Sequence, residues 1–286
     1  MRTSRLLTAM LAAFLSFQIA ACATSGTVLS ESAGTLRTGL SAAREQADLT
    51  FREANAQARE RAVARMLASP DLQLTEEQFH DAVSRPSIER WQNTFGILDQ
   101  YLAALQQLVD PARARDTSAQ LTALGTRLQS GAISAELPDG LTSVVARLGG
   151  AIVQAASERR AQTIMARTDP DFRATLEAMA HAVDPARGVG IPATVRNTWT
   201  FQMDEVHAAY SAAPQTQRAA LITRFLELAR KRDDQMLRFE RLKSSLLSLA
   251  EAHSAAARGN GSEALLWIGR IDLLLRQIRT DLGGTQ

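Results

Sequence analysis

The groups with most capacity for chemistry in this 286-residue chain are four histidines, one cysteine and a few clustered carboxylates. His80, His181, His207 and His253 stand far apart, and no His-x-x-x-His pair sets two metal ligands on one helix face. Asp204 and His207 lie at i, i+3 with Glu205 beside them, a spacing at which a carboxylate could orient an imidazole for acid–base work. On a helix such a pair is more often a solvated surface contact. Asp233-Asp234, flanked by Arg230, Lys231, Arg232 and Arg238, reads first as a solvated helix face braced by the i, i+4 pairs Glu227–Lys231, Arg230–Asp234 and Asp234–Arg238. Residues 218–243 nevertheless carry an excess of four positive charges, so Arg230, Lys231 and Arg238 form a candidate basic contact patch for anionic lipid or a partner. No Gly-rich phosphate loop, Gly-x-Ser-x-Gly elbow or kinase signature occurs. From these residues we expect no metal, no cofactor and no catalytic set.

The elements that must position these groups read as helices. Apolar residues make up 45% of the chain and aromatics only 5%, a balance that suits helices packed through small side chains better than a β-sandwich. Leu29, Leu36, Leu40, Ala43, Ala47, Ala54 and Ala58 recur at threes, fours and sevens, ending before Ser69-Pro70. Residues 75–83 suggest a short helix with Thr75 and Gln78 as a capping box. From Pro86 to Val109 the seam Ile88, Trp91, Phe95, Leu98, Leu102, Leu105, Val109 steps strictly by three and four, as in a coiled coil. Leu121, Leu124 and Leu128 continue the pattern to Gly131. Pro138-Asp-Gly140 is a turn and the best candidate for a midpoint.

Helix is expected again from Leu141 to Thr168, with Asp169-Pro170 opening a separate short helix to Val183. A loop follows over Asp184–Pro192, then a helix carrying Val195, Trp199, Met203, Val206 and Tyr210. A long helix from Pro214 to Arg258 should turn Ile222, Phe225, Ala229, Met236, Leu242, Leu246 and Leu249 inward. That same seam includes His253, a polar group on an apolar stripe. After Gly259-Asn-Gly261, Ser262 should cap a final helix with the seam Ile268, Ile271, Leu275, Ile278, Leu282. Trp91 and Trp199 belong to apolar stripes, whereas Trp267 stands beside one. The phrase Val-Asp-Pro-Ala-Arg occurs at 109–113 and again at 183–187, a weak hint of duplication. The expected fold is an all-α, elongated antiparallel helical bundle with coiled-coil-like seams, spanning residues 29–286.

The amino terminus differs from this body. Arg2 and Arg5 precede an apolar run from Leu6 to Ala21, which spans only about 24 Å as a helix, short of the ~30 Å hydrocarbon core. It therefore reads as an export signal rather than a membrane span. Its end, Ile19-Ala20-Ala21-Cys22, resembles the lipobox of bacterial lipoproteins: a branched apolar residue, two small ones, then the chain's one cysteine. The resemblance covers two dozen residues and implies cleavage between Ala21 and Cys22. It further implies diacylglycerol on the Cys22 sulfur and an acyl chain such as palmitate on its new amine. Residues 22–28 would then form a short lipidated tether. Ala23 rather than Asp after the cysteine implies sorting to the outer membrane, facing the periplasm.

Charge removes one class of partner. Lysine and arginine number 32 against 30 acidic residues, and Arg2 and Arg5 supply the whole formal excess of +2. A chain beginning at Cys22 is neutral despite a sequence pI of about 9, so no global field draws in nucleic acid. The sequence thus points to a membrane-anchored envelope lipoprotein acting as a non-enzymatic helical binding or scaffold module. Its partners would be the bilayer, through acylated Cys22, and an envelope protein. The alternative is a small-molecule carrier or enzyme with its site between the helices.

Overall fold

The computed structural model describes the backbone of residues 3–68, 74–108, 110, 112–158 and 160–283. Side chains are described from Ser32 onward, apart from Ala68, Leu282 and Gly283. The fold is all-α: eight helices and two short 3-10 turns, with no strand among the described residues. The helices are α1 Thr3–Ala68, α2 Arg85–Gln107, α3 Ala114–Gln129, α4 Thr142–Ala155, α5 Ala161–Ala182, α6 Ile191–Ala212, α7 Gln215–Ala257 and α8 Gly261–Gly283. The range of α1 includes residues 22–28, and the side chains of Ile19–Cys22 and of Leu29 lie outside those described.

The long helix α7 organises the bundle, packing against α1, α5, α6 and α8. Cross-links fix the directions. Asp169 meets Ser254, and Asp184 meets Lys243, so α5 runs antiparallel to α7. Arg37 meets Asp99, and the amide of Asn55 spans Val83, so α1 runs antiparallel to the α2 segment. Glu60 lies opposite Lys231 while Leu249 reaches the level of Gly39, so α1 and α7 are also antiparallel. The hydrophobic core is continuous along this array.

The seams explain the core. Trp91, Phe95, Leu98, Leu102 and Leu105 of α2 are buried, as are Ile268, Ile271, Leu275 and Ile278 of α8. Leu36, Leu40, Ala43, Ala47 and Ala54 of α1 are buried too, joined by Phe51. Small residues set the closest approach. A Cβ on Gly125 would stand 2.7 Å from the Gly149 carbonyl oxygen, so α3 and α4 pack with their backbones nearly touching. The two helices joined through the 138–140 turn are therefore direct neighbours.

Several local expectations require correction. Residues 76–79 form a 3-10 turn rather than an α-helix, and the Thr75 side chain caps nothing. The break expected at Asp169-Pro170 occurs instead at residues 156–160, and Pro170 lies inside α5. Proline there forfeits one helical hydrogen bond, but burial of Ile164, Met165, Phe172 and Leu176 on both sides of it holds the helix together. Asn260, not Ser262, caps α8: its Oδ1 accepts from the Glu263 N–H while its amide donates to the Glu263 carboxylate. Ile222 is 48% exposed rather than inward, and the buried stripe of α7 begins only at Leu228. The repeated Val-Asp-Pro-Ala-Arg phrase has a local reason. In both copies the aspartate side chain accepts from the N–H two residues on, Ala112 and Ala186, making the same turn after a helix.

Candidate functional site

Among the candidates named from sequence, Asp204 and His207 are both exposed on α6 and make no hydrogen bond or ion pair with each other. The proposed i, i+4 pairs of α7 do not form. Lys231 instead lies 3.8 Å from Glu60, Arg232 bonds its neighbour Asp233, and Arg224 faces Glu227. Arg230 and Lys231 are exposed, but Arg238 is not part of a surface patch. Its side chain is 6% exposed and lies 3.4 Å from Glu53 in an ion pair. No group of three or more His, Cys, Asp or Glu side chains converges on a metal position among the described residues. Nor is any helix among them long and apolar enough to cross a membrane.

His253 lies at the centre of a polar cluster that sequence spacing did not assemble. α2 supplies Tyr101, α5 supplies Thr168, Asp169 and Phe172, and α7 supplies His253 and Ser254. The imidazole stacks on Phe172 with centroids 4.0 Å apart. Nδ1 is 2.7 Å from Asp169 Oδ1, and Nε2 is 3.3 Å from the Tyr101 hydroxyl, which also bonds Thr168. Ser254 donates to the same carboxylate. Pro170 sits beside this carboxylate, where the chain favours leaving helical geometry; the His253 and Ser254 bonds tie Asp169 back into α5.

Burial lowers the His253 pKa, and the opposing pull of Asp169 does not fully offset it. The ring is therefore neutral at neutral pH, with Nδ1–H donating to Asp169 and Nε2 facing the Tyr101 hydroxyl. Burial works against ionisation of Asp169 as well, but the His253 and Ser254 bonds outweigh it and hold the carboxyl below its usual range. Burial pushes the Tyr101 phenol well up, so it stays protonated. In composition this is an acid–base relay. In geometry it is a clamp, because Tyr101, Thr168 and His253 are fully enclosed and only Asp169 reaches solvent. No substrate atom can approach Nε2 or the phenol without opening the bundle.

A second polar cluster lies where α1, α6 and α7 meet. Arg61 is 5% exposed and lies over the Trp199 ring at 4.4 Å. Its three guanidinium nitrogens, with Arg65 Nε and the Trp199 indole nitrogen, find no acceptor. Sequence reasoning missed both clusters. A signal for the second was present, since Arg61 and Arg65 extend the Ala54, Ala58 stripe by three and then four.

A groove of about 660 Å³ between α1, α2 and α8 has two of its arginines already paired with acids. Arg37 pairs with Asp99 at 2.8 Å, and Arg279 with Glu45 at 2.5 Å. No protein-family model, curated protein or solved structure matches this chain.

Proposed function

We propose that this chain is a bacterial envelope lipoprotein, anchored through acylated Cys22, whose helical body binds another envelope protein without catalysing a reaction. The supporting observation is the α6–α7 hairpin. On the first turns of α7 and on the α6 helix packed against it, Phe201, Ile222 and Leu226 are 57%, 48% and 61% exposed, and the buried stripe of α7 begins only at Leu228. Apolar side chains on a projecting hairpin, with exposed Arg230 and Lys231 at its root, make a recognition surface with a polar margin.

Position along α1 separates a protein partner from the anchoring bilayer. Lys231 lies at the level of Glu60, about 42 Å along α1 from Ser32. A membrane at the Cys22 end is out of reach of that patch, so an envelope protein is the partner this reading favours. The enclosure of Tyr101 and His253 gives the enzymatic alternative little support at this cluster.

The test uses lipidated protein from native membranes. Mass spectrometry should find an acylated N-terminal Cys22 peptide, and a photo-crosslinker at Leu226 should capture one envelope protein. Charge reversal at Arg230 and Lys231 should reduce capture, most at low salt. A free thiol at Cys22 would remove the anchor from this reading. A crosslinker at Leu226 that yields no product above one at Leu67, on α1, would remove the hairpin.

A further inference from the structure

The unpaired donors around Arg61 are chemically one-sided. Arg61 Nε, Nη1 and Nη2, Arg65 Nε and Trp199 Nε1 can only donate, and all are enclosed without an acceptor. Leaving a buried guanidinium unpaired is among the most costly arrangements a folded chain can hold. The nearest compensation is the Trp199 face, which takes up the Arg61 charge but none of its N–H groups. Stacking fixes the plane of the guanidinium and leaves its edge, where the donors are, as the binding side. Burial and the neighbouring Arg65 charge lower the Arg61 pKa to about 10, which still leaves it cationic at neutral pH. Arg65, one turn on, is only half-buried and gives the cluster a side open to solvent. Gln57 and Gln202 close the other sides, each with an unpartnered side-chain oxygen.

We infer that the Arg61–Arg65–Trp199 cluster is a binding site for the oxyanion of a small ligand, a carboxylate or a phosphate, held edge-on by the Arg61 guanidinium with the Trp199 N–H as a further donor. A planar fork of donors matches two oxygens of one group, which a halide cannot offer. The free side-chain oxygens of Gln57 and Gln202 can only accept, so they would meet donor groups on the rest of the ligand, while the Gln57 amide already donates to Glu53. This inference does not rest on the partner reading above: the site lies beneath the root of the hairpin, not on its exposed face.

The test is thermal denaturation of the whole mature chain in an oxyanion-free zwitterionic buffer. Inorganic phosphate, acetate or sodium chloride is added at matched ionic strength, and the comparison is wild type against Arg61→Met. Phosphate, acetate or both should raise the wild-type midpoint more than chloride does, and the binding constant derived from that shift should weaken about ten- to a hundredfold in Arg61→Met. Protection by phosphate alone assigns a phosphate ligand, and protection by acetate alone a carboxylate. Equal midpoint gains in wild type and Arg61→Met would overturn the site, since general salt effects act on both. No gain over chloride with either anion would overturn it as well. Should Arg61→Met fail to fold, Trp199→Phe removes one donor and keeps an aromatic face. It should weaken the anion effect three- to tenfold, and an unchanged effect would count against the site.

Discussion

Asp169→Ala is the sharpest probe of how this bundle is held together. The carboxylate accepts from His253 Nδ1 at 2.7 Å and from Ser254 Oγ at 2.9 Å. Both donors are enclosed: His253 is 0% and Ser254 2% exposed. Removing the acceptor strands two buried donors, at about 1–3 kcal/mol each, so the expected loss is about 3–4 kcal/mol. At two to four degrees per kcal/mol for a body this size, the midpoint should fall by roughly 6–16 °C. His253→Phe should cost less than Asp169→Ala, because it keeps the stack on Phe172, and the double variant should be less stable than His253→Phe by only about 1–3 kcal/mol, the cost of stranding Ser254 alone. The pH profile supplies an independent check. The folded-state pKa of His253 is depressed, so the unfolded chain binds its proton first as pH falls below about 6.5. Stability should therefore decline from there towards the lower folded-state value, at no more than about 1.4 kcal/mol per pH unit. Asp169, also depressed, adds a second loss as pH falls through the carboxylate range below about 4. His253→Phe should abolish the first decline and weaken the second, because it removes the main interactions that hold the Asp169 carboxyl down. Urea unfolding from about pH 2 to 8 measures both. A cost for Asp169→Ala under 1 kcal/mol, or a His253→Phe profile identical to wild type, would refute the clamp.

Two further outcomes test the packing. Leu98→Ala and Ile271→Ala, both fully buried on their seams, should each cost about 2–5 kcal/mol in urea denaturation. Gly125→Ala should destabilise by more than 1 kcal/mol, because its Cβ would collide with the Gly149 backbone, whereas Gly96→Ala in α2 meets nothing within 4 Å and should stabilise by about 0.5–1 kcal/mol. Equal effects at the two glycines would remove the close α3–α4 contact.

The helices were legible because their signal is local and repeated. A 3-4 step over four to six residues, as from Ile268 to Ile278 or Ile88 to Leu105, specifies both the helix and the face it buries. Turn chemistry is local as well: Gly259, at φ +78°, ends α7 where the sequence places a turn. The errors arose where a local rule met a tertiary one. Proline after Asp169 favours a helix end, yet apolar residues on both sides bury against the bundle, and the clamp to α7 takes up the aspartate. Ile222 has the helical phase of the inner stripe yet is 48% exposed, and phase alone carries no knowledge of how far along a helix burial extends.

What the sequence by itself determined was the all-α class, the seams and the alignment of an apolar run, small residues and the cysteine at the amino end. Each depends on residues within a few positions of one another. What only the tertiary structure decided was which polar groups meet. Tyr101 reaches His253 across 152 positions and Asp169 reaches it across 84, and Arg61 of α1 finds Trp199 of α6. Helical periodicity states that such a residue faces inward. It does not state what waits there, because the partner is chosen by how α1, α2, α5, α6 and α7 pack, and that packing is set by the sum of all their apolar faces.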